Sequence, residues 1–149
     1  MHARRVAGAC ALGLLTFTMA ACGGADDTAA TGATAEHTLV VTLGGGSQEF
    51  TVAPAASSVK AGKMTFTAIN DGKVLHEMIV LPLQPGQTVD SLKQADGSAN
   101  EDAAAGEAAD IEAGASGSVT VDLKPGTYAL ICNQPGHFAG GMKTTITVA

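Results

Sequence analysis

The chain has 149 residues, room for one domain, and is acidic, with 14 Asp and Glu against eight Lys and Arg. That balance excludes the basic surface a nucleic-acid partner needs, so none is expected. Aromatic residues make up 3%, Trp is absent and Gly numbers 19, so the core must be aliphatic and the turns many.

Residues 1–22 read as a lipoprotein-type signal peptide. Arg4 and Arg5 give a basic start, Val6–Ala20 is largely apolar, and Met19-Ala20-Ala21 places small residues before Cys22. The apolar stretch is too short for a comfortable membrane span. The Ala-Ala-Cys ending resembles the bacterial lipobox, whose Cys is diacylated and becomes the mature N-terminus; Met19 stands where Leu is usual. An ordinary cleaved signal with a spare Cys is the alternative. Residues 23–36 (GGADDTAATGATAE) are small, polar and aperiodic, a flexible tether. The expected location is thus the extracytoplasmic face of the cell membrane, anchored by lipid on Cys22. Cys10 would leave with the signal and Cys22 carry the lipid, which strands Cys132 without a partner in an oxidising compartment. Metal ligation is one reason to keep such a thiol.

The domain spans residues 37–149. His37–Leu43 is β-rich, and Gly44-Gly45-Gly46 turns it into Ser47–Val52, a first hairpin. Lys63–Asn70 alternates, with Met64, Phe66 and Ala68 on one face, and Asn70-Asp71-Gly72 is a strong turn signal. Val74–Leu81 is the next strand, ended by Pro82 and carrying His76. Gln84–Gly114 reads as a surface insertion: Thr88–Gln94 and Asn100–Ala105 suit short helices, and five acids lie between Glu101 and Glu112. Alternation resumes in Ser118–Leu123, and Lys124-Pro125-Gly126 turns into a strand at Tyr128. Some seven short strands with Gly/Pro turns and little helix imply an all-β fold, an antiparallel sandwich or barrel with a short helical insertion.

The chemistry is concentrated in Tyr128–Met142, Y-A-L-I-C-N-Q-P-G-H-F-A-G-G-M, with Cys132, His137 and Met142 five residues apart each time. Extended, the Cys132–His137 interval would separate two donors by roughly 15 Å, so the segment must fold back, as Pro135-Gly136 permits. Thiolate and imidazole with a weak Met make up a blue-copper ligand set, which needs one further His. His2 lies in the signal and His37 at the tether's edge, which leaves His76. Other readings compete. A strand His is often structural, and Met142 alone is more often core filling. Cys132 with His137 could be a nucleophile and base on an exported hydrolase, but an orienting acid is missing and Met142 is left unexplained. Zinc accepts Cys and His, whereas Met is out of character for it.

With His76 ahead of a hydrophobic strand and P-G-T-Y-A-L-I-C-N-Q-P-G-H-F-A-G-G-M behind, residues 39–149 resemble the cupredoxin (type 1 blue-copper) family of plastocyanin and azurin. The C-x4-H-x4-M spacing is more like auracyanin and sulfocyanin than plastocyanin, whose Cys–His interval is shorter. The resemblance implies a Greek-key sandwich with one copper per domain. His76, Cys132 and His137 would be its equatorial ligands and Met142 its weak axial one. It also implies that the Tyr128 hydroxyl pins a Greek-key corner. Plastocyanin and azurin place Asn directly after the strand His, tying the ligand loops together; here that residue is Glu77, with Asn133 beside the Cys as another candidate for the task.

The implied function is single-electron transfer to a redox partner protein by a monomer. The apolar loop around His137, with Phe138 partly exposed, would be the docking face, and the acidic stretch Glu101–Glu112 a solvated loop. The rival from another class is a copper buffer or chaperone, which would hand over metal from an exchangeable site. A copper enzyme would need a second copper site, and the His are too few, so no catalysis is expected.

Overall fold

The structure is a computed structural model that describes residues 37–149. The signal-peptide and tether readings, Cys22 included, lie outside the described residues. Nine strands follow in chain order: β1 His37–Leu43, β2 Val52–Pro54, β3 Ser58–Val59, β4 Gly62–Asn70, β5 His76–Pro82, β6 Gly106–Ile111, β7 Ser116–Leu123, β8 Gly126–Ile131 and β9 Lys143–Val148. They form a sheet of order β2-β1-β4-β7 and another of order β3-β9-β8-β5-β6.

The sheets are mixed rather than antiparallel throughout. β1 runs parallel to β4, pairing His37 with Met64 through Leu43 with Asn70, and β3 runs parallel to β9. The remaining pairs are antiparallel, the first hairpin among them, although its second strand is Val52–Pro54 and residues 44–51 are a connecting loop. Alternation in β4 works as its sequence implies, with Met64, Phe66 and Ala68 buried. They meet Leu39, Val41 and Leu43 of β1 and Met78, Val80, Leu130 and Ile146 of the second sheet in one aliphatic core.

The insertion differs most from expectation. Residues 100–105 form turns rather than a helix, and Thr88–Gln94 shortens to one 3-10 turn, Val89–Leu92, with no side-chain cap from Thr88. The segment is not merely a surface loop. Leu92 and Ala99 cover the outer face of β5 and β8 in a second buried cluster with Ile79, Leu81, Ala129, Ile131 and Phe138. With both faces of those strands covered, their apolar runs are near-continuous instead of alternating. The insertion also supplies β6, the edge strand, which escapes sequence detection because a bulge opposite His76–Met78 spaces its buried residues, Ala108 and Ile111, by three. Glu107 and Asp110 are exposed along it, and such charges blunt an open edge.

At the far end of the sandwich Tyr128 is buried, and its hydroxyl accepts the Lys124 N–H at 3.0 Å, a tyrosine corner.

Candidate metal centre

His76 is the first residue of β5, and Cys132 and Met142 follow and precede the last rung of the β8–β9 ladder, Ile131 opposite Lys143. The eleven-residue tip 132–142 is closed by its own backbone. Cys132 N–H donates to Met142 C=O at 3.0 Å, Met142 N–H to His137 C=O at 3.0 Å and His137 N–H to Gln134 C=O at 2.9 Å. Gly136, at φ 84°, makes the reversal that returns His137 toward Cys132.

His76, Cys132 and His137 are brought to one spot. The two Nδ1 atoms are 3.2 Å apart, and Cys132 Sγ lies 3.9 Å from that of His76 and 3.3 Å from that of His137. A point equidistant from the three atoms is about 2 Å from each, a metal–ligand bond length. One sulfur and two imidazole nitrogens at this spacing suit the trigonal equator of a copper thiolate site. Met142 is fully buried in the same cluster as Cys132, at the position an axial donor requires in sequence. His37 is not part of this group.

Burial sets the protonation of the metal-free site. His76 and Cys132 are inaccessible to solvent, and His137 is half-buried. Desolvation, opposed by Glu49, holds His76 below the usual imidazole range, and desolvation with the neighbouring His76 does the same for His137. Both imidazoles therefore stay neutral and free to donate. Burial pushes the Cys132 thiol up, so it must shed its proton to bind metal.

The tie between ligand loops is Glu77 itself. Its N–H points at Cys132 Sγ at 3.5 Å, its Oε1 accepts the Asn133 N–H at 2.8 Å, and its Oε2 accepts from Gln134 Nε2 at 3.4 Å. A carboxylate thus does by accepting what the Asn of plastocyanin and azurin does in that place. Burial, and the acids Glu107, Glu101 and Asp110, raise its pKa against the lowering effect of the Asn133 bond. Asn133 joins the Cys132 loop to the insertion instead: Oδ1 accepts Ala99 N–H at 2.7 Å, and Nδ2 donates to Ala99 C=O and to Glu101.

Two site neighbours escaped the sequence reading, Glu49 and Phe50, both in the β1–β2 loop. Phe50 is 42% exposed and lies over the His137 ring, centroids 4.8 Å apart. Phe138, expected at the surface, is 1% exposed within the outer cluster, beneath the Lys143 ammonium at 4.5 Å. The outer face of the sheet needs a large apolar side chain there, and Phe138 supplies it. The exposed ring beside His137 is therefore that of Phe50.

Fold and donors together define a copper-binding β-sandwich with one thiolate and two imidazoles. Residues 38–149 match the copper-binding proteins of the plastocyanin/azurin family, and the chain belongs to that family. Copper is accordingly its cofactor. A segment of 39 residues is 56% identical to auracyanin-B of Chloroflexus aurantiacus, covering 26% of this chain and 17% of that protein. The solved structure of auracyanin B superposes with TM-score 0.54 at 27% identity, over 76% of this chain and 88% of that one. Two further structures share the fold. Auracyanin A, a blue copper protein from C. aurantiacus, has TM-score 0.58 at 19% identity, covering 77% of this chain and 100% of its own. Rusticyanin from Thiobacillus ferrooxidans has TM-score 0.56 at 20%, covering 75% and 76%.

Proposed function

We propose that this domain carries single electrons outside the cytoplasmic membrane, to and from a redox partner protein, with His76, Cys132 and His137 as equatorial ligands and Met142 as the axial one. The observation that carries the reading is the triangle of donors, Cys132 and His137 from one hydrogen-bonded loop and His76 from the start of β5, spaced at metal-bonding size. Copper supplies the one-electron Cu(I)/Cu(II) couple; what the chain supplies is a frame that changes little between the two states. Electrons would pass at the half-buried edge of His137, beside Phe50 and the uncharged loop Pro135–Gly141, a small surface suited to transient encounters. The chaperone alternative needs an exposed, exchangeable site, and full burial of His76 and Cys132 speaks against it. Reversible one-electron titration without loss of copper to a metal-free acceptor protein is the expected outcome; copper transfer without a reversible couple would favour the chaperone.

Met142→Leu tests the axial assignment. The equatorial donors keep copper bound and coloured, while loss of a weak donor destabilises Cu(II) more than Cu(I) and raises the reduction potential. An unchanged potential in voltammetry would make Met142 core filling.

The membrane anchor is likewise part of the proposal. Two acyl chains on Cys22 give stable membrane binding where one is marginal. The mature protein should sediment with membranes and carry a diacyl mass at Cys22, and Cys22→Ala should be released or left unprocessed. Mass spectrometry showing an unlipidated mature N-terminus would overturn this.

A further inference from the structure

His76 Nδ1 faces Cys132 and His137, which leaves Nε2 to be accounted for. That atom is buried and forms no hydrogen bond among the described residues, yet Glu49 Oε1 stands 3.2 Å from it, off the ideal direction. The same oxygen accepts the backbone N–H of Lys73 at 2.7 Å and of Val74 at 3.2 Å, the loop leading into His76. Two crossing loops make the approach possible. Asp71 N–H donates to Leu43 C=O at 2.9 Å, and a Cβ on Gly44 would meet Gly72 Cα at 2.9 Å. A Cβ on Gly72 would collide with Glu49 Oε1 and stand 2.8 Å from His76 Nε2. Two facing glycines thus clear the space in which the carboxylate reaches the imidazole.

We propose that Glu49 is the positioning residue of His76: once Nδ1 holds copper it receives the Nε2–H hydrogen bond, keeps the ring in the tautomer that presents Nδ1 to the metal, and biases the site toward Cu(II). The inference rests on His76 being a copper ligand, as in the function proposed above. When Nδ1 binds metal in a neutral imidazole, the proton must sit on Nε2, where Glu49 faces it. A carboxylate accepting that proton raises the basicity of the ring and adds a negative charge near the site, both of which favour the more highly charged ion. Adjacent in sequence, Glu49 and Phe50 each hold one of the two imidazoles, so a single loop orients both.

Glu49→Gln is the test, because the amide oxygen still accepts from Lys73 and Val74 and only the charge goes. Outer-shell partners of a metal ligand are worth tenfold to a hundredfold in affinity, and because the amide oxygen can still accept the Nε2–H, losing the charge alone should cost about tenfold. With the loss falling mainly on Cu(II), the Cu(II):Cu(I) affinity ratio should drop about tenfold, a potential rise of ~59 mV for one electron. Cu(II) affinity by chelator competition should fall in step. A variant with wild-type potential and Cu(II) affinity overturns the proposal, whatever its melting temperature. Should the variant not fold, the Cu(I)-loaded wild type decides by NMR. A His76 Nε2–H resonance shifted downfield and protected from solvent exchange is expected, and a ring proton on Nδ1, or rapid exchange at Nε2, overturns it. A wild-type protein that takes up no copper would instead strike down the carrier reading beneath it, so the two failures are distinguishable.

Discussion

Cys132→Ser abolishes the intense visible absorption expected of the copper(II)-loaded domain. The band is a thiolate-to-copper charge transfer, and Cys132 is the one free thiol among the described residues. A serine hydroxyl is neither soft nor readily deprotonated, and in this dry position, where even the thiol resists ionisation, it presents copper with a poor donor. Copper affinity should fall with the colour, while the metal-free fold survives at a cost of about 1–3 kcal/mol for burying a hydroxyl. His76→Ala should disturb colour and binding severely, whereas His37→Ala, at the start of β1 and outside the donor group, serves as a silent control. Absorption and EPR spectra of the copper-loaded proteins decide the matter; a colourless wild type would sink the whole assignment.

Asn70→Ala should produce the other large effect, in stability as well as in copper binding. Asn70 is fully buried at the end of β4. Its Nδ2 donates to Val74 C=O at 2.8 Å and Ile111 C=O at 2.7 Å, and its Oδ1 accepts the Gly72 N–H at 2.9 Å. One side chain thus binds the turn before His76 to the strand paired with His76, since Ile111 is its register partner. Alanine leaves these groups unmatched at about 1–3 kcal/mol for each that stays dry, so a loss of about 2–4 kcal/mol is expected. Urea denaturation of the metal-free protein should show a lower midpoint with an unchanged slope. Copper affinity should fall as well, because His76 is no longer held at the Cys132 loop. A loss below about 1 kcal/mol would mean that water replaces the amide.

Much of this protein is legible in its sequence, because the information is local. Alternation marks β4, Gly and Pro mark the turns, and the Cys132–His137–Met142 spacing places three donors on one short loop. His76 follows by elimination among four His. The Asn70-Asp71-Gly72 turn is equally visible, but not that its Asn is a buried knot, since one partner, Ile111, is 41 residues away.

Other features have no local signature. β6 reads G-E-A-A-D-I and is a strand only because β5 offers an edge and a bulge absorbs its irregular spacing. The Phe of the ligand loop turns inward because Leu92 and Ala99 arrive over the outer sheet face and leave a site to fill. The parallel pairing of β1 with β4 depends on the summed contacts of two sheets. The crossing of the Gly44 and Gly72 loops is another such case, and it alone sets Glu49 and Phe50 against the imidazoles. The candidate donors were legible in the chain because ligand chemistry and turn propensity belong to single residues and short segments. Their surroundings were not legible, because burial, a carboxylate beside a ring nitrogen and the exposed ring at the surface arise where distant segments meet.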